Sequence, residues 1–205
     1  MTAQERRSGV SLALIYAFRM LGLFMVLPVF ALEARHYPGG ESSTAVGVAL
    51  GAYGLVQAAL QIPFGLAADR WGRKRVIVLG LSLFALGSVV GFLADSVWML
   101  GLGRALQGGG AISAAVTALL ADQTRDVVRT KGMALIGASI GLSFALSLVV
   151  GPLLAAQGGL RLIFGVTAVL ALLAMWVIWR ITPEEPALHV SEDSGSPRFM
   201  TLFRK

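Results

Sequence analysis

Two groups of charged side chains stand out in a chain that is otherwise strongly apolar. The first is a short run, 69–75, in which five of seven residues are charged. The second is a pair of arginines, Arg19 and Arg104, each inside a long apolar run. A charge in hydrocarbon costs at least about 2.5–3.5 kcal/mol on insertion scales, so both arginines should face protein or a water-filled cavity. An ionisable residue in such a position predicts a functional site.

Few polar or ionisable side chains stand near these arginines in the apolar runs. Gln107 follows Arg104 by three residues and shares its helical face. No Asp or Glu falls in the middle of an apolar run, and Glu33, at the end of the first run, is the nearest carboxylate.

Composition excludes several other classes of chemistry. Of the 205 residues 56% are hydrophobic and 14% charged, with a mean hydropathy of +0.77, which is typical of a membrane protein. The chain has no cysteine and only two histidines, both in predicted loops, so we expect no metal site and no cofactor. No nucleophile stands with a His or Asp partner, so we expect no enzyme. The net charge of +6 does not indicate a nucleic-acid partner, because the Lys and Arg residues concentrate on one side of the predicted helices, as is typical of the cytoplasmic side of a membrane protein.

The apolar runs predict an all-α integral membrane protein with six transmembrane helices. Each run is long enough to cross a bilayer, and the first is too long for a cleaved signal peptide. A polar N-terminus, 1–9, precedes the bundle of 10–180, and a linker-like tail rich in Pro, Ser and charge follows at 181–205. The predicted helices are about 10–32, 44–68, 76–94, 97–121, 132–156 and 160–179.

The distribution of Lys and Arg orients the predicted bundle. Of seventeen such residues, thirteen lie in the two termini and in the loops after helices two and four. The opposite loops hold only Arg35 and Arg161. Because Lys and Arg stay in the cytoplasm during insertion, both termini are predicted to be cytoplasmic.

Polar residues at helical spacing indicate which helices line a cavity. The second and fifth helices each carry three such side chains four residues apart, along one face. These are Tyr53, Gln57 and Gln61 in helix two, and Ser139, Ser143 and Ser147 in helix five. We predict that helices one, two, four and five face a cavity and that three and six face lipid. Small polar residues also join membrane helices, and for the serines we weigh packing and cavity lining equally.

The charged run, with its flanking glycines, resembles a loop signature of the major facilitator superfamily, G-x-L-x-x-D-R-x-G-R-[RK]. The matching residues are Leu66, Asp69, Arg70, Gly72, Arg73 and Lys74, and Gly65 corresponds to the first glycine of the signature with the spacing shorter by one residue. The fourth-helix pattern of that family, L-x-x-x-R-x-x-Q-G-x-G, is matched at Leu100, Arg104, Gln107, Gly108 and Gly110. The chain looks most like the YajR-type branch of the bacterial drug:proton antiporters, which implies a multi-pass protein of the bacterial inner membrane.

A third pattern matches only in part. Gly151 and Pro152 correspond to the glycine-proline hinge of the antiporter pattern in helix five, which normally continues with two glycines. Here Ala155 and Ala156 stand in those places. Leu154, Ala155, Ala156 and Arg161 also echo Leu66, Ala67, Ala68 and Arg73, as the inverted three-plus-three repeat of this superfamily would.

The resemblance implies roles for the matched residues. Asp69 would contact a helix end of a partner half and pair with Arg73, and Asp122 would join them. With Gly65, Arg70 and Gly72, these residues would form a latch that favours the outward-open state. Arg104 would sit at the cavity wall and couple proton movement to the binding of a small molecule, together with Gln107 and Arg19. A proton-coupled carrier needs a group that titrates, and we expect that group to be either Glu33 or, as we favour, a carboxylate outside this chain.

The resemblance covers the N-terminal six-helix half of such a transporter. Alternating access needs two bundles that rock about a midplane site. Three interpretations therefore stay open: a half that pairs with a separate C-terminal half, a half that pairs with a second copy of itself, or a membrane subunit or truncated half without transport activity.

Overall fold

A computed structural model of the chain describes residues 1–183, which form helices joined by short turns. The helices are α1 (Ala3–Val26), α2 (Phe30–Glu33), a 3₁₀ turn (Ala34–His36), α3 (Ser43–Trp71), α4 (Arg73–Phe92), α5 (Val97–Gly109), α6 (Ser113–Gln123) and α7 (Asp126–Arg180). Most of the tail predicted as a linker, 184–205, lies outside the described residues.

α1 begins seven residues before the predicted start because local hydrogen bonds satisfy its first turn. The Glu5 backbone N–H donates to the Thr2 hydroxyl at 3.2 Å, and the Thr2 N–H donates to the Glu5 carboxylate at 2.6 Å. This reciprocal pair is a capping box, which starts a helix without any need for apolar residues.

The predicted fourth helix is divided in the structure. It consists of α5 and α6, separated by a non-helical stretch at 110–112. The α5 cap residue, Gly110, has ψ near +50°, outside the helical range, and its backbone N–H donates to the Gln107 carbonyl. The polar loop predicted at 122–131 is mostly helical, because α6 continues to Gln123 and α7 starts at Asp126.

α7 contains the fifth and sixth predicted helices as two arms. Gly158 and Gly159 break its helical geometry, and Gly159 has a positive φ of 60°. That backbone conformation is accessible to glycine at little cost. By length and composition four helices of the described residues could cross a membrane, namely α1, α3, α4 and the double-length α7.

Two clusters of buried apolar side chains fill the two ends of the bundle. α1 packs chiefly on α7, α3 on α5, and α4 on both α5 and α7. We call one end the charged end: there Arg73 of α4 meets Asp122 of α6, and Arg7 of α1 donates to the Ile181 carbonyl at 2.7 Å. At the opposite end, Arg161 donates to the Phe92 carbonyl at 3.2 Å.

Candidate functional site

Two fully buried guanidinium groups meet the same tyrosine inside the bundle. Arg19 of α1 is 0% exposed and donates to the Tyr53 hydroxyl at 3.0 Å. Arg104 of α5 is 1% exposed, and its Cζ lies 4.7 Å from the centroid of the Tyr53 ring. Cations are attracted to the face of an aromatic ring, and more strongly where both are desolvated. Tyr53 of α3 thus contacts one arginine with its hydroxyl and the other with its ring.

A chain of hydrogen bonds extends from Arg104 to α4. Its guanidinium donates to the Gln107 side-chain oxygen at 3.0 Å, and the Gln107 amide donates to the Ser88 hydroxyl at 2.9 Å. Ser88 in turn donates to the Phe84 carbonyl at 2.7 Å, and the Phe84 ring centroid lies 5.5 Å from Cζ of Arg19. We predicted that this helix faces lipid, yet Ser88 and Phe84 are buried parts of the network.

The division of the fourth predicted helix creates a partner for Arg19. Because the helix is interrupted at 110–112, the Gly110 carbonyl is available, and Arg19 donates to it at 2.9 Å. Gly108 permits the close packing of α5 on α3, since a Cβ there would collide with the Tyr53 carbonyl oxygen. The glycines of this segment therefore shape the arginine site directly.

The two buried positive charges have no carboxylate partner among residues 1–183. Nε and Nη1 of Arg19 and Nε of Arg104 are buried there without a hydrogen-bond acceptor. A carbonyl, an amide oxygen, a hydroxyl and two ring faces are the contacts that stabilise the charges. The structure places Arg104 inside the bundle, at a position that is closed to solvent.

The predicted latch residues meet at the charged end around one arginine. Arg73, the first residue of α4, binds Asp122 and the Ala118 carbonyl, both in α6. A cation near a helix C-terminus is favoured by the helix dipole. Asp69 of α3 lies 3.9 Å from the Arg73 guanidinium, and its side chain is 66% exposed. Gly65 faces α6, Gly72 joins α3 to α4 with a φ of 94°, and Arg70 is exposed.

The helix-five serines bond to backbone carbonyls. Ser143 donates to Ala17 of α1 at 3.1 Å, whereas Ser139 and Ser147 donate within α7, each at 2.7 Å. The bond of Ser143 joins two helices, which is the packing role that we weighed against cavity lining. Gln57 and Gln61 are half-buried on α3, and Gln61 lines a groove of about 370 Å³ beside Asp69.

The remaining predicted residues lie apart from the arginines. Gly151 lets α7 approach α1, because a Cβ there would meet the Met25 carbonyl, and Pro152 follows it within the helix. Glu33 lies at the opposite end, where its carboxylate is beside Gly159. Within the described part of the chain, no hydrogen bond or ion pair joins Glu33 to Arg19 or Arg104.

A second ion pair at the charged end was missing from the sequence interpretation. Glu5 of α1 is buried and accepts from the Arg125 side chain at 2.7 Å and from its backbone N–H at 3.3 Å. These hydrogen bonds to the carboxylate raise the pKa of the Arg125 guanidinium. The capping-box pattern Thr2-x-x-Glu5 was the only local signal, and it does not indicate a partner 120 residues away.

Comparison with known proteins decides the family. The family model described as Major Facilitator Superfamily matches residues 12–204. This chain belongs to the major facilitator superfamily. It is 50% identical over 195 residues to the inner membrane transport protein YajR of Escherichia coli K12, covering 95% of this chain and 43% of YajR. It is also 32% identical to the class B tetracycline resistance protein of Escherichia coli, covering 68% of this chain and 34% of that protein.

A solved structure supports the same fold. The human organic anion transporter MFSD10 (TETRAN) superposes with a TM-score of 0.77 at 23% identity, covering 90% of this chain and 49% of that one. The chain spans less than half the length of these relatives. YajR and MFSD10 are transport proteins by name, and this chain is a membrane protein of a transporter family.

Proposed function

We propose that this chain is one half of a transporter that moves small molecules across the bacterial inner membrane by proton-coupled efflux. The observation that carries the proposal is the pair of buried, carboxylate-free guanidinium groups around Tyr53. Keeping two charges in the interior of a membrane bundle is costly, and such residues mark ion and substrate pathways. The names of the tetracycline and multidrug resistance relatives suggest amphipathic drugs as substrates.

In this proposal six helices cross the membrane with both termini in the cytoplasm. α1, α3 and α4 would each cross once, α5 and α6 together once, and the two arms of α7 twice. The charged end would then be cytoplasmic, as the excess of Lys and Arg in its loops favours. The inner-membrane placement follows the name of YajR.

Transport by alternating access would require a second six-helix bundle, either a C-terminal half or a second copy of this chain. Two exposed helical faces support this. Among residues 1–183, nothing lies within 4 Å of a Cβ placed on Gly47, Gly51 or Gly54 of α3, or on Gly137 or Gly141 of α7. Small residues allow close packing of membrane helices. These faces are therefore suited to pack against another helical bundle.

Asp69 is the residue through which a second bundle would be latched. Its contact with Arg73 is long and its side chain exposed, so the pair adds little to stability within this chain. The exposed Asp69 carboxylate would be stabilised at the N-terminus of a helix in the partner bundle, because the helix dipole is positive at that end. Asp69→Asn should then leave folding unchanged and impair transport.

The proton carrier in this proposal is a carboxylate of the second bundle. Arg19 and Arg104 are each near Tyr53 and lack an anionic partner in the described residues. Because both arginines are buried in the conformation described, such a carboxylate could approach them only when helices of this bundle move apart during transport. It would then be stabilised as an anion and released on protonation. Arg104 would then sense the protonation state through the network with Gln107.

Accumulation of tetracycline in cells that express this chain tests the proposal. Cells with the chain should accumulate less drug, a protonophore should abolish the difference, and Arg104→Gln should do the same. Arg35→Gln, an exposed arginine at the opposite end, is the matched control and should retain efflux. If the folded chain changes the accumulation of neither tetracycline nor a panel of amphipathic cations, both alone and when co-expressed with a C-terminal six-helix half, it is a non-transporting membrane subunit.

A further inference from the structure

A groove at the charged end combines basic side chains with apolar walls. It has a volume of about 480 Å³ and runs between the start of α4 and the end of α7. Lys74 and Arg75 lie at its polar end. The rest of its lining is apolar or aromatic, from Val78, Ile178 and Trp179.

A second groove lies on the other side of Arg75, between α3 and α4. Its volume is about 290 Å³, and apart from Arg75 it is lined by Phe64, Ala67, Trp71, Val76 and Leu79. Arg75 is therefore shared by two apolar grooves, both of which start at the charged end. This arrangement matches a branched ligand with one polar group and two apolar chains.

The polar part of the two grooves is positively charged. Arg75 is exposed, and no residue within 1–183 forms a hydrogen bond or ion pair with it. Lys74 donates to the Thr182 carbonyl at 3.0 Å, which holds its ammonium at the end of α7. The nearby carboxylates of Asp69 and Asp122 contact Arg73. A ligand that pairs with Arg75 would need to be anionic.

Exposed tryptophans mark the depth of the grooves in the membrane. Trp179 is 74% exposed and Trp71 is 63% exposed, and each lines one groove. Tryptophan is enriched at the level of the lipid headgroups because its ring is apolar and its N–H polar. Arg75 therefore lies where the phosphate of a lipid would be.

We propose that Arg75 binds the phosphate of an anionic phospholipid, whose two acyl chains lie in the two grooves. A guanidinium binds phosphate oxygens in a bidentate manner, and a basic groove between membrane helices suits an anionic headgroup. A zwitterionic lipid brings its own cation to the same place and should bind less well. The proposal is independent of the transport function, since it depends on headgroup depth alone.

Quenching of tryptophan fluorescence by brominated lipids tests this site. The chain has four tryptophans, so a variant with Trp71, Trp98 and Trp176 changed to Phe keeps only Trp179. Its matched control keeps only Trp98, which is 64% exposed. Both full-length chains are placed in phosphatidylcholine bilayers with equal small fractions of brominated phosphatidylglycerol or brominated phosphatidylcholine.

We expect brominated phosphatidylglycerol to quench Trp179 more than brominated phosphatidylcholine does, and Trp98 to show no such preference. Arg75→Gln should lower the preference about fivefold, since each basic side chain near an anionic surface contributes about 1 kcal/mol. Lys131→Gln, which removes an exposed charge outside the grooves, should leave it unchanged. Circular dichroism verifies that each variant is folded.

Three results would overturn the proposal. Equal quenching of Trp179 by both lipids would show that the groove does not select anions. A preference that Arg75→Gln and Lys131→Gln reduce equally would show a diffuse attraction without a site. Weak quenching of Trp179 by both lipids, beside strong quenching of Trp98, would show that protein fills the groove.

Discussion

Replacement of Tyr53 by phenylalanine separates the two contacts that this residue makes in the arginine network. The change removes the hydroxyl that accepts from Arg19 at 3.0 Å. It keeps the ring that lies 4.7 Å from Cζ of Arg104. The remaining hydrogen-bond acceptor of the Arg19 guanidinium within residues 1–183 is the Gly110 carbonyl at 2.9 Å. Tyr53→Phe therefore tests one hydrogen bond of a buried cation in isolation.

The expected cost follows from the burial of Arg19. Interhelical hydrogen bonds in membranes are worth about 0.6 kcal/mol on average and up to about 1.7 kcal/mol. Bonds to charged groups are the stronger ones. Because Arg19 is fully buried and already has two unpaired nitrogens, we expect a loss near the upper limit, about 1.5 kcal/mol. Tyr53→Leu, which also removes the ring, should cost about 1–2 kcal/mol more.

Unfolding in mixed detergent micelles, with the fraction of sodium dodecyl sulfate increased stepwise and helicity followed by circular dichroism, measures these free energies. Leu50→Ala on the same helix is a control for the removal of apolar volume alone. The reasoning is refuted if Tyr53→Phe unfolds at the same detergent fraction as the parent chain. It is also refuted if Tyr53→Leu is no less stable than Tyr53→Phe, because the ring would then contribute nothing.

Three further predictions follow from packing and charge. Gly108→Ala should lower the free energy of unfolding by about 1–3 kcal/mol, because the added methyl meets the Tyr53 carbonyl. Gly51→Ala is the control: no described residue lies near its Cβ, so it should be neutral in the same detergent titration. Asp122→Asn should increase hydrogen exchange at the end of α6, since Arg73 loses its closest carboxylate; unchanged exchange would contradict that role. Glu5→Gln should increase trypsin cleavage after Arg125, whose side chain it holds, and equal cleavage rates would count against a structural ion pair.

The helices were predictable from the sequence because their signals are local. The apolar runs of membrane length overlap α1, α3, α4 and the two arms of α7. The division at 110–112 was missed although three consecutive glycines, 108–110, lead into it, because the apolar run continues through it without a proline. The break depends on tertiary contacts: Gly108 packs on α3, and Gly110 supplies a carbonyl to Arg19.

The candidate site was predictable in its residues and less so in its arrangement. Arg19 and Arg104 were conspicuous because charge is rare in apolar runs, and Tyr53 was on a polar stripe. Their meeting at one tyrosine could not be inferred, because nothing in the spacing of residues 19, 53 and 104 fixes how three helices rotate. Ser88 was missed because the third helix, whose polar residues are only Ser82 and Ser88, was predicted to face lipid, although the Ser88 hydroxyl accepts from Gln107.

The central proposal is that efflux requires an assembly of two six-helix bundles in which the site formed by Arg19, Tyr53 and Arg104 is intact. Purified chain can be separated by size in mild detergent, and each fraction reconstituted into proteoliposomes with a proton gradient and a fluorescent substrate. We expect efflux only from fractions that contain two bundles, either two copies of the 21.5 kDa chain or this chain with a second half. Efflux from a fraction that contains single 21.5 kDa chains alone would contradict the proposal.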